Sequence, residues 1–91
     1  MRYNVGIKAS AIKNLEKLPI EIQNKLRSII SSFEINPRPV GVKKLKTYSN
    51  LWRVRMGDYR IIYHIRDDKL IVLVVAVGAR ENIYKVFRGS R

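Results

Sequence analysis

Three arginines lie close together within an apolar stretch, residues 51–65, which reads LWRVRMGDYRIIYHI. Arg53 and Arg55 alternate along one run of aromatic and β-branched residues, and Arg60 lies in the following run. A guanidinium group keeps its positive charge and donates forked hydrogen bonds, which suit the oxygens of phosphate or carboxylate. The chemistry that these residue types indicate is recognition of an anionic ligand.

The element that must position these arginines is a β-hairpin. Gly57 and Asp58 separate the two runs, and a two-residue Gly-Asp link predicts a primed turn because glycine accepts positive φ. That register sets Arg55 directly opposite Arg60. Because side chains alternate between faces along a strand, one face is expected to be a core face and the other to carry the charge. The predicted core face holds Trp52, Val54, Met56, Tyr59, Ile61 and Tyr63, and the opposite face holds Arg53, Arg55, Arg60 and His64 with Leu51 and Ile62.

Like charges directly opposite each other destabilise a sheet by a few tenths up to roughly 1 kcal/mol. The arginine face is therefore a local conflict in an otherwise consistent segment, as is expected at functional sites. An anionic ligand would remove the repulsion. In the alternative interpretation the arginines extend into solvent with their stems over apolar neighbours.

Composition indicates one domain, residues 1–91, with a strongly basic second half. The chain carries 19 Lys and Arg against 7 Asp and Glu, a net charge of +12, and residues 38–91 hold +9 of it. A segment this basic indicates that the partner is a phosphate backbone or an acidic protein. The loop predicted over residues 38–50 contributes Lys43, Lys44 and Lys46, which either contact phosphates or are simply solvated.

Several classes of protein are disfavoured by the sequence. It has no cysteine, which excludes a disulfide framework and a cysteine-based metal site or nucleophile and fits a reducing cytoplasm. The first ten residues lack the apolar core of a signal peptide, and the apolar run at 70–77 is too short to span a bilayer. We therefore expect a cytoplasmic protein without membrane contact.

The remaining segments predict the order β-α-α-β-β-β with a short C-terminal helix, an α+β fold. Two consecutive helices must cover one face of an antiparallel sheet, which leaves the arginine face open. Apolar residues in the second helix, from Ile22 to Phe33, recur at helical spacing and are assigned to the core. The last strand is uniformly apolar and is expected to be covered on both faces. The segments are a strand at 2–7, helices at 8–18 and from Pro19 to the NPRP sequence at 36–39, the hairpin, and a strand at 70–77 ended by Gly78.

The segments LPIEIQNKL, KKLK, WRVRMGDYRIIYHI and VGARENIYK, in this order and spacing, resemble the RelE/ParE toxin superfamily. The resemblance runs from about Tyr3 to Phe87. It implies the RelE-like microbial RNase fold. Within that superfamily the RelE branch cuts messenger RNA in the ribosomal A site, whereas the ParE branch inhibits DNA gyrase and lacks the RNase residues. Both branches are normally held inactive by an antitoxin.

The resemblance implies a set of catalytic residues, all of which are present: Arg53, Arg55, Arg60, Arg80 and Tyr84. The RelE branch often has lysines at the first two positions, one of them thought to act as general base. Arginine keeps its proton to about pH 12 and is a poor base. His64 shares the face of Arg53 and is a candidate for that role, so the identity of the base stays open.

The function that the resemblance implies is that of a type II toxin, a ribosome-dependent mRNA endonuclease that needs neither metal nor cofactor. It would use the 2′-hydroxyl of the RNA as nucleophile and so inhibit translation. The expected partners are a cognate antitoxin, the ribosome and mRNA, with promoter DNA bound only through the antitoxin complex. The alternatives are a ParE-like inhibitor of gyrase without catalysis and a degenerate, non-toxic relative that binds nucleic acid.

Overall fold

A computed structural model of the chain describes residues 2–45 and 50–79. Of the residues singled out in the sequence, Lys46, Arg80 and Tyr84 lie outside this part, as does the expected C-terminal helix. Within these ranges, five strands form one sheet in the order β1-β5-β4-β3-β2. The elements are β1 (Asn4–Ile7), α1 (Ala9–Glu16), α2 (Ile20–Ser32), β2 (Lys43–Lys44), β3 (Leu51–Met56), β4 (Tyr59–Arg66) and β5 (Ile71–Ala79).

The hairpin of β3 and β4 forms in the predicted register. Arg55 pairs with Arg60, and the partners on either side of them follow in step along both strands. Gly57 takes the first turn position with φ of 59°. Positive φ at this position fits a type II′ turn, whose twist matches that of the flanking strands.

The two helices also form where the apolar spacing predicts them. Pro19 lies immediately before α2 rather than in its first turn. The apolar stripe of α2 faces the sheet, with Leu26 and Ile30 buried, and Phe33 is buried just after the helix. The helix ends at Ser32, before the NPRP sequence, because the next amides bond to carbonyls three residues back and tighten the turn.

The core lies between the helices and one face of the sheet. Its largest fully buried side chain is Tyr63 on β4. The ring of Tyr63 stacks on Phe33 with centroids 4.2 Å apart. Its hydroxyl donates a 2.7 Å hydrogen bond to the carbonyl of Pro37, and burial raises the pKa of this phenol. Tyr63 thus ties the segment after α2 to the middle of the sheet.

The sheet is mixed rather than wholly antiparallel. β1 runs parallel to β5, and every other neighbouring pair is antiparallel. From β1 the chain enters the two helices and returns to the sheet at β2, on the opposite edge. This route places the first and last strands side by side in the same direction, which hydrophobic pattern alone does not specify.

The last strand differs from its prediction in two ways. It is paired on both sides, but Ile71 and Leu73 are each 38% exposed, so the expectation of cover on both faces is wrong at its beginning. Both helices pack on the other face of the sheet, where Val72 and Val74 are buried. The strand also continues past Gly78, which pairs with Arg60, to Ala79. No helix in the described ranges is long and apolar enough to cross a membrane.

Candidate anion-binding site

The three hairpin arginines lie on the face of the sheet that α1 and α2 do not cover. Arg53 pairs with Ile62, and Arg55 with Arg60. The alternate residues of both strands are buried against the helices or packed at the edge of that core. The predicted division into a core face and an arginine face is therefore confirmed. Which residues of the arginine face bind a ligand stays a prediction.

Apolar side chains form the floor of the arginine face. Leu51, Ile62 and Ala76 are buried there as a second, smaller cluster, with Leu45 and Val75 packed against it. The sequence shows Leu51 and Ile62 only as interruptions between the arginines. The tertiary structure joins them with a residue of β5 into a support that lies beside Arg53.

Arg60 is the most buried of the hairpin arginines, at 6% exposure. Its Nε atom has no hydrogen-bond partner within the part of the chain that the structure describes. A buried charged donor without a partner costs on the order of 1–3 kcal/mol, or more. The hypothesis that the arginines simply extend into solvent therefore fails for Arg60, which holds its charge beneath the surface of the face.

Arg55 lies in a different environment from its cross-strand partner. The side chain is exposed, and its Nε donates a 3.1 Å hydrogen bond to the carbonyl of Gly57. This contact folds the guanidinium back toward the hairpin turn. Arg53, two residues earlier, is half-buried. The face thus presents positive charge at three different depths.

Two of the loop lysines lie in a strand that the sequence does not predict. β2 pairs antiparallel with β3, and Lys43 is opposite Arg53 while Lys44 is opposite Trp52. Because directly paired residues share a face, Lys43 extends the arginine face and Lys44 lies on the other one. The Nζ atom of Lys44 is 5.7 Å from the centroid of the Trp52 ring. Of these two lysines, only Lys43 is therefore placed beside the arginines.

His64, the candidate base, lies on the arginine face between Leu51 and Leu73. It is half-buried and two residues along β4 from Ile62, which pairs with Arg53. Its position on the same face as Arg53 is confirmed, and its role as the base stays a prediction. Among the described residues, no three His, Cys, Asp or Glu side chains are grouped so as to hold a metal ion.

A second polar cluster, which the sequence does not predict, lies next to Trp52. Arg38 donates two hydrogen bonds to Asp67, of 3.0 and 2.8 Å, and the Tyr3 hydroxyl donates a third, of 2.7 Å. These bonds lower the pKa of Asp67 to about 2. The Arg38 guanidinium also lies over the Trp52 ring, 4.7 Å from its centroid. These residues come from distant parts of the chain, and no local motif predicts their contact.

Comparison with known proteins agrees with this fold. Residues 5–84 match the family described as the ParE toxin of type II toxin–antitoxin system, parDE. RelE1 of Methanocaldococcus jannaschii is 32% identical over 88 residues, which cover 93% of this chain and 98% of that protein. The chain therefore belongs to the RelE/ParE superfamily of toxins.

Further relatives share the length and the architecture. The mRNA interferase toxin RelE of Escherichia coli K12 is 26% identical over 83 residues, 89% of this chain and 86% of its own. The crystal structure of the archaeal RelE–RelB complex from Pyrococcus horikoshii contains a chain that superposes with a TM-score of 0.79 at 28% identity. That superposition covers 89% of this chain and 98% of the other. The α+β fold expected from the sequence is confirmed.

Proposed function

We propose that this chain is the toxin of a type II toxin–antitoxin system, a single domain that cleaves translated mRNA in the ribosomal A site. One observation carries the proposal: Arg53, Arg55, Arg60 and Lys43 share the open face of the sheet, with one arginine buried and incompletely hydrogen-bonded. A phosphodiester would supply an acceptor for the Arg60 Nε atom, which has none among the described residues. The similarity to a protein named mRNA interferase toxin RelE supports RNA as the ligand.

The proposed reaction uses the RNA's own 2′-hydroxyl as nucleophile. Its oxygen bonds to the adjacent phosphorus as the bond from phosphorus to the 5′-oxygen breaks, which leaves a 2′,3′-cyclic phosphate and a 5′-hydroxyl. The 2′-hydroxyl gives up a proton and the leaving 5′-oxygen gains one. No metal or cofactor is required by this balance. The protein must align the two oxygens, neutralise the phosphoryl charge and manage both protons.

The arginines fit the electrostatic part of this task. Arg60 and Arg80 are proposed to bind the phosphoryl oxygens, for which a forked guanidinium is well suited. Arg60 acts from a dry position, where a charge interacts more strongly than in water. Arg53 and Arg55 would favour ionisation of the 2′-hydroxyl. Tyr84 is proposed to stack on an unpaired base or orient the hydroxyl, as aromatic residues commonly do with single-stranded RNA.

Proton removal is the weak part of this site. Arginine is a poor base, and the candidate base on this face is His64, the one histidine of the sequence. A site of this kind would be slow on free RNA and would depend on the ribosome to hold the substrate in line. Lys43, with Lys44 and Lys46, is proposed to contribute to RNA and ribosome binding.

An antitoxin is the partner proposed for the same surface. RelE of Pyrococcus horikoshii crystallises with RelB, and a face this basic needs a covering partner while it is idle. Carboxylates of such a partner would satisfy the arginines in place of phosphate. Binding of promoter DNA is proposed to occur only through the antitoxin complex.

A second candidate function, gyrase inhibition without catalysis, is favoured by the match to the ParE toxin family. The two functions predict different damage. Brief expression followed by mapping of new mRNA 5′ ends should give cuts in phase with the reading frame, inside translated regions. DNA-damage signalling with intact mRNA would instead support gyrase inhibition. An Arg53→Ala, Arg55→Ala double variant is the matched control, because both side chains lie on the open face and outside the main core.

A further inference from the structure

The strand that carries Lys43 is too short to hold itself in place. β2 has two residues, and one of its two pairs sets Lys43 against Arg53. Like charges directly opposite each other destabilise pairing. A hydrogen bond of 2.9 Å from the Leu45 amide to the Leu51 carbonyl continues the ladder by one residue. Something beyond backbone pairing must therefore keep β2 against β3.

The opposite face of the same two strands carries the contacts that do so. Trp52, the partner of Lys44, lies within cation–π range of two cationic side chains, both of which precede it in the sequence. Arg38 is 4.7 Å and Lys44 is 5.7 Å from the ring centroid. Such a contact stabilises a protein even when it is exposed, and more so when it is desolvated. The Trp52 indole thus contacts both ends of the segment 38–44, which runs from Arg38 to the last residue of β2.

Arg38 is itself fixed in orientation. Its fork of hydrogen bonds to Asp67 sets the plane of the guanidinium, and Asp67 in turn accepts a bond from Tyr3. The backbone amide of Arg38 donates to the Asn36 side chain at 3.0 Å. Arg38 is therefore attached to the β4–β5 turn and, through Asp67, to Tyr3 just before β1, which fixes the segment that leads into β2.

We propose that Arg38 and Trp52 are positioning residues that hold Lys43 beside Arg53 before any ligand binds. Cation–π contacts on the helix face offset charge repulsion on the arginine face. Lys43 then enters the anion site without the entropy cost of ordering a loop on binding. The ligand in this inference, a single-stranded RNA phosphate, rests on the proposed function, whereas the positioning itself does not.

The positioning is tested first in the free protein. Hydrogen exchange of the Leu45 amide should accelerate at least about tenfold in Arg38→Gln and in Trp52→Leu, because loss of the clamp exposes the end of β2 to local opening. Fluorescence of Trp52, the sole tryptophan, should change in Arg38→Gln and much less in Arg38→Lys, which keeps a cation near the ring. Unchanged Leu45 exchange in Arg38→Gln would overturn the proposal.

A matched control is available in the same β4–β5 turn. Arg66 also donates two hydrogen bonds to an aspartate, Asp68, of 3.2 and 3.1 Å, and it has no part in the contacts on Trp52 described above. Arg66→Gln removes a comparable ion pair and charge but should leave Leu45 exchange and Trp52 fluorescence as they are. An equal effect from Arg66→Gln would mean that general loss of stability, and not the clamp, releases β2.

The second test asks whether the clamp acts through Lys43. At low salt, Lys43→Ala should weaken binding of a short single-stranded oligoribonucleotide about threefold to tenfold, as expected for one phosphate contact. In an Arg38→Gln background, Lys43→Ala should leave the affinity for the oligoribonucleotide almost unchanged, since Lys43 is already displaced. Additive losses would show that Lys43 is placed without Arg38. If the oligoribonucleotide does not bind the unmodified protein, the RNA assignment fails, while Leu45 exchange still decides the positioning.

Discussion

Arg55 and Arg60 face each other directly across the β3–β4 hairpin, yet Arg55 is exposed and Arg60 is only 6% exposed. The pair combines like-charge repulsion with the desolvation of one member, and both terms oppose folding. A stable domain tolerates such a pair where binding requires it. The cost is concentrated at the position that we propose to contact the scissile phosphate.

Arg60→Met should separate stability from function. Methionine fills much of the same volume without a charge, so the free energy of unfolding should rise by about 1–3 kcal/mol, as measured in urea. Cleavage of mRNA on ribosomes should be lost in the same variant. Arg55→Met is the control: its exposed side chain should change stability by less than about 0.5 kcal/mol. Destabilisation by Arg60→Met would show that Arg60 is a structural partner and would remove it from the site.

Salt dependence should distinguish the lysines by face. Lys43→Gln should flatten the slope of the logarithm of RNA affinity against the logarithm of salt concentration by roughly 0.7, the value for one phosphate contact on a single strand. Lys44→Gln, on the helix face, should leave the slope nearly unchanged, so replacing Lys43, Lys44 and Lys46 together should flatten it by at most roughly 1.4, the value for two contacts. Lys13→Gln, on the exposed side of α1, is a control of equal charge and should leave the slope unchanged. A slope unaffected by the triple change would assign these lysines to solvent.

Acid should weaken the attachment of Arg38 in a defined range of pH. The pKa of Asp67 lies at about 2, below its ordinary value of 3.8, because it accepts hydrogen bonds from Arg38 and Tyr3. A carboxylate with a lowered folded-state pKa stabilises the fold above its unfolded pKa and loses this contribution as the pH falls through the folded value. The stability difference between the unmodified protein and Asp67→Asn should therefore be constant above about pH 5 and disappear toward pH 2. Thermal unfolding across this range is the measurement.

The same series has an internal control in Asp68. The pKa of Asp68 is also lowered, chiefly by hydrogen bonds from Arg66. Asp68→Asn should therefore also change how stability falls with pH in the acid range. Only Asp67→Asn should also accelerate exchange of the Leu45 amide. Equal acceleration in both variants would mean that the two turn carboxylates act alike.

Gly57→Ala should destabilise the hairpin through backbone conformation alone. Gly57 has φ of 59°, and a Cβ added there would meet no atom within 4 Å, so there is no clash to relieve. Alanine in the left-handed region costs about 1–2 kcal/mol, and equilibrium unfolding should show that loss. Gly57→Asn should cost less, since asparagine tolerates this region better. Equal losses in the two variants would argue against a purely conformational effect.

The sequence by itself determined the hairpin, its register and the separation of its two faces. The Gly-Asp link sets the turn, and the two-residue alternation then assigns every side chain of β3 and β4 to a face. The helical stripe from Ile22 to Phe33 is likewise a local signal that survives in the fold. These predictions succeed because each depends on residues that are neighbours in the chain or across one tight turn.

Tertiary structure decided what depends on the meeting of distant segments. Arg55 and Arg60 are the same residue type in similar local sequences, so only the fold determines that Arg60 is buried and Arg55 exposed. The pairing of Lys43 with Arg53, the parallel placement of β1 beside β5 and the approach of Arg38 to Asp67 join segments far apart in sequence. No local pattern encodes such contacts, because the segments that make them meet only when the whole domain packs.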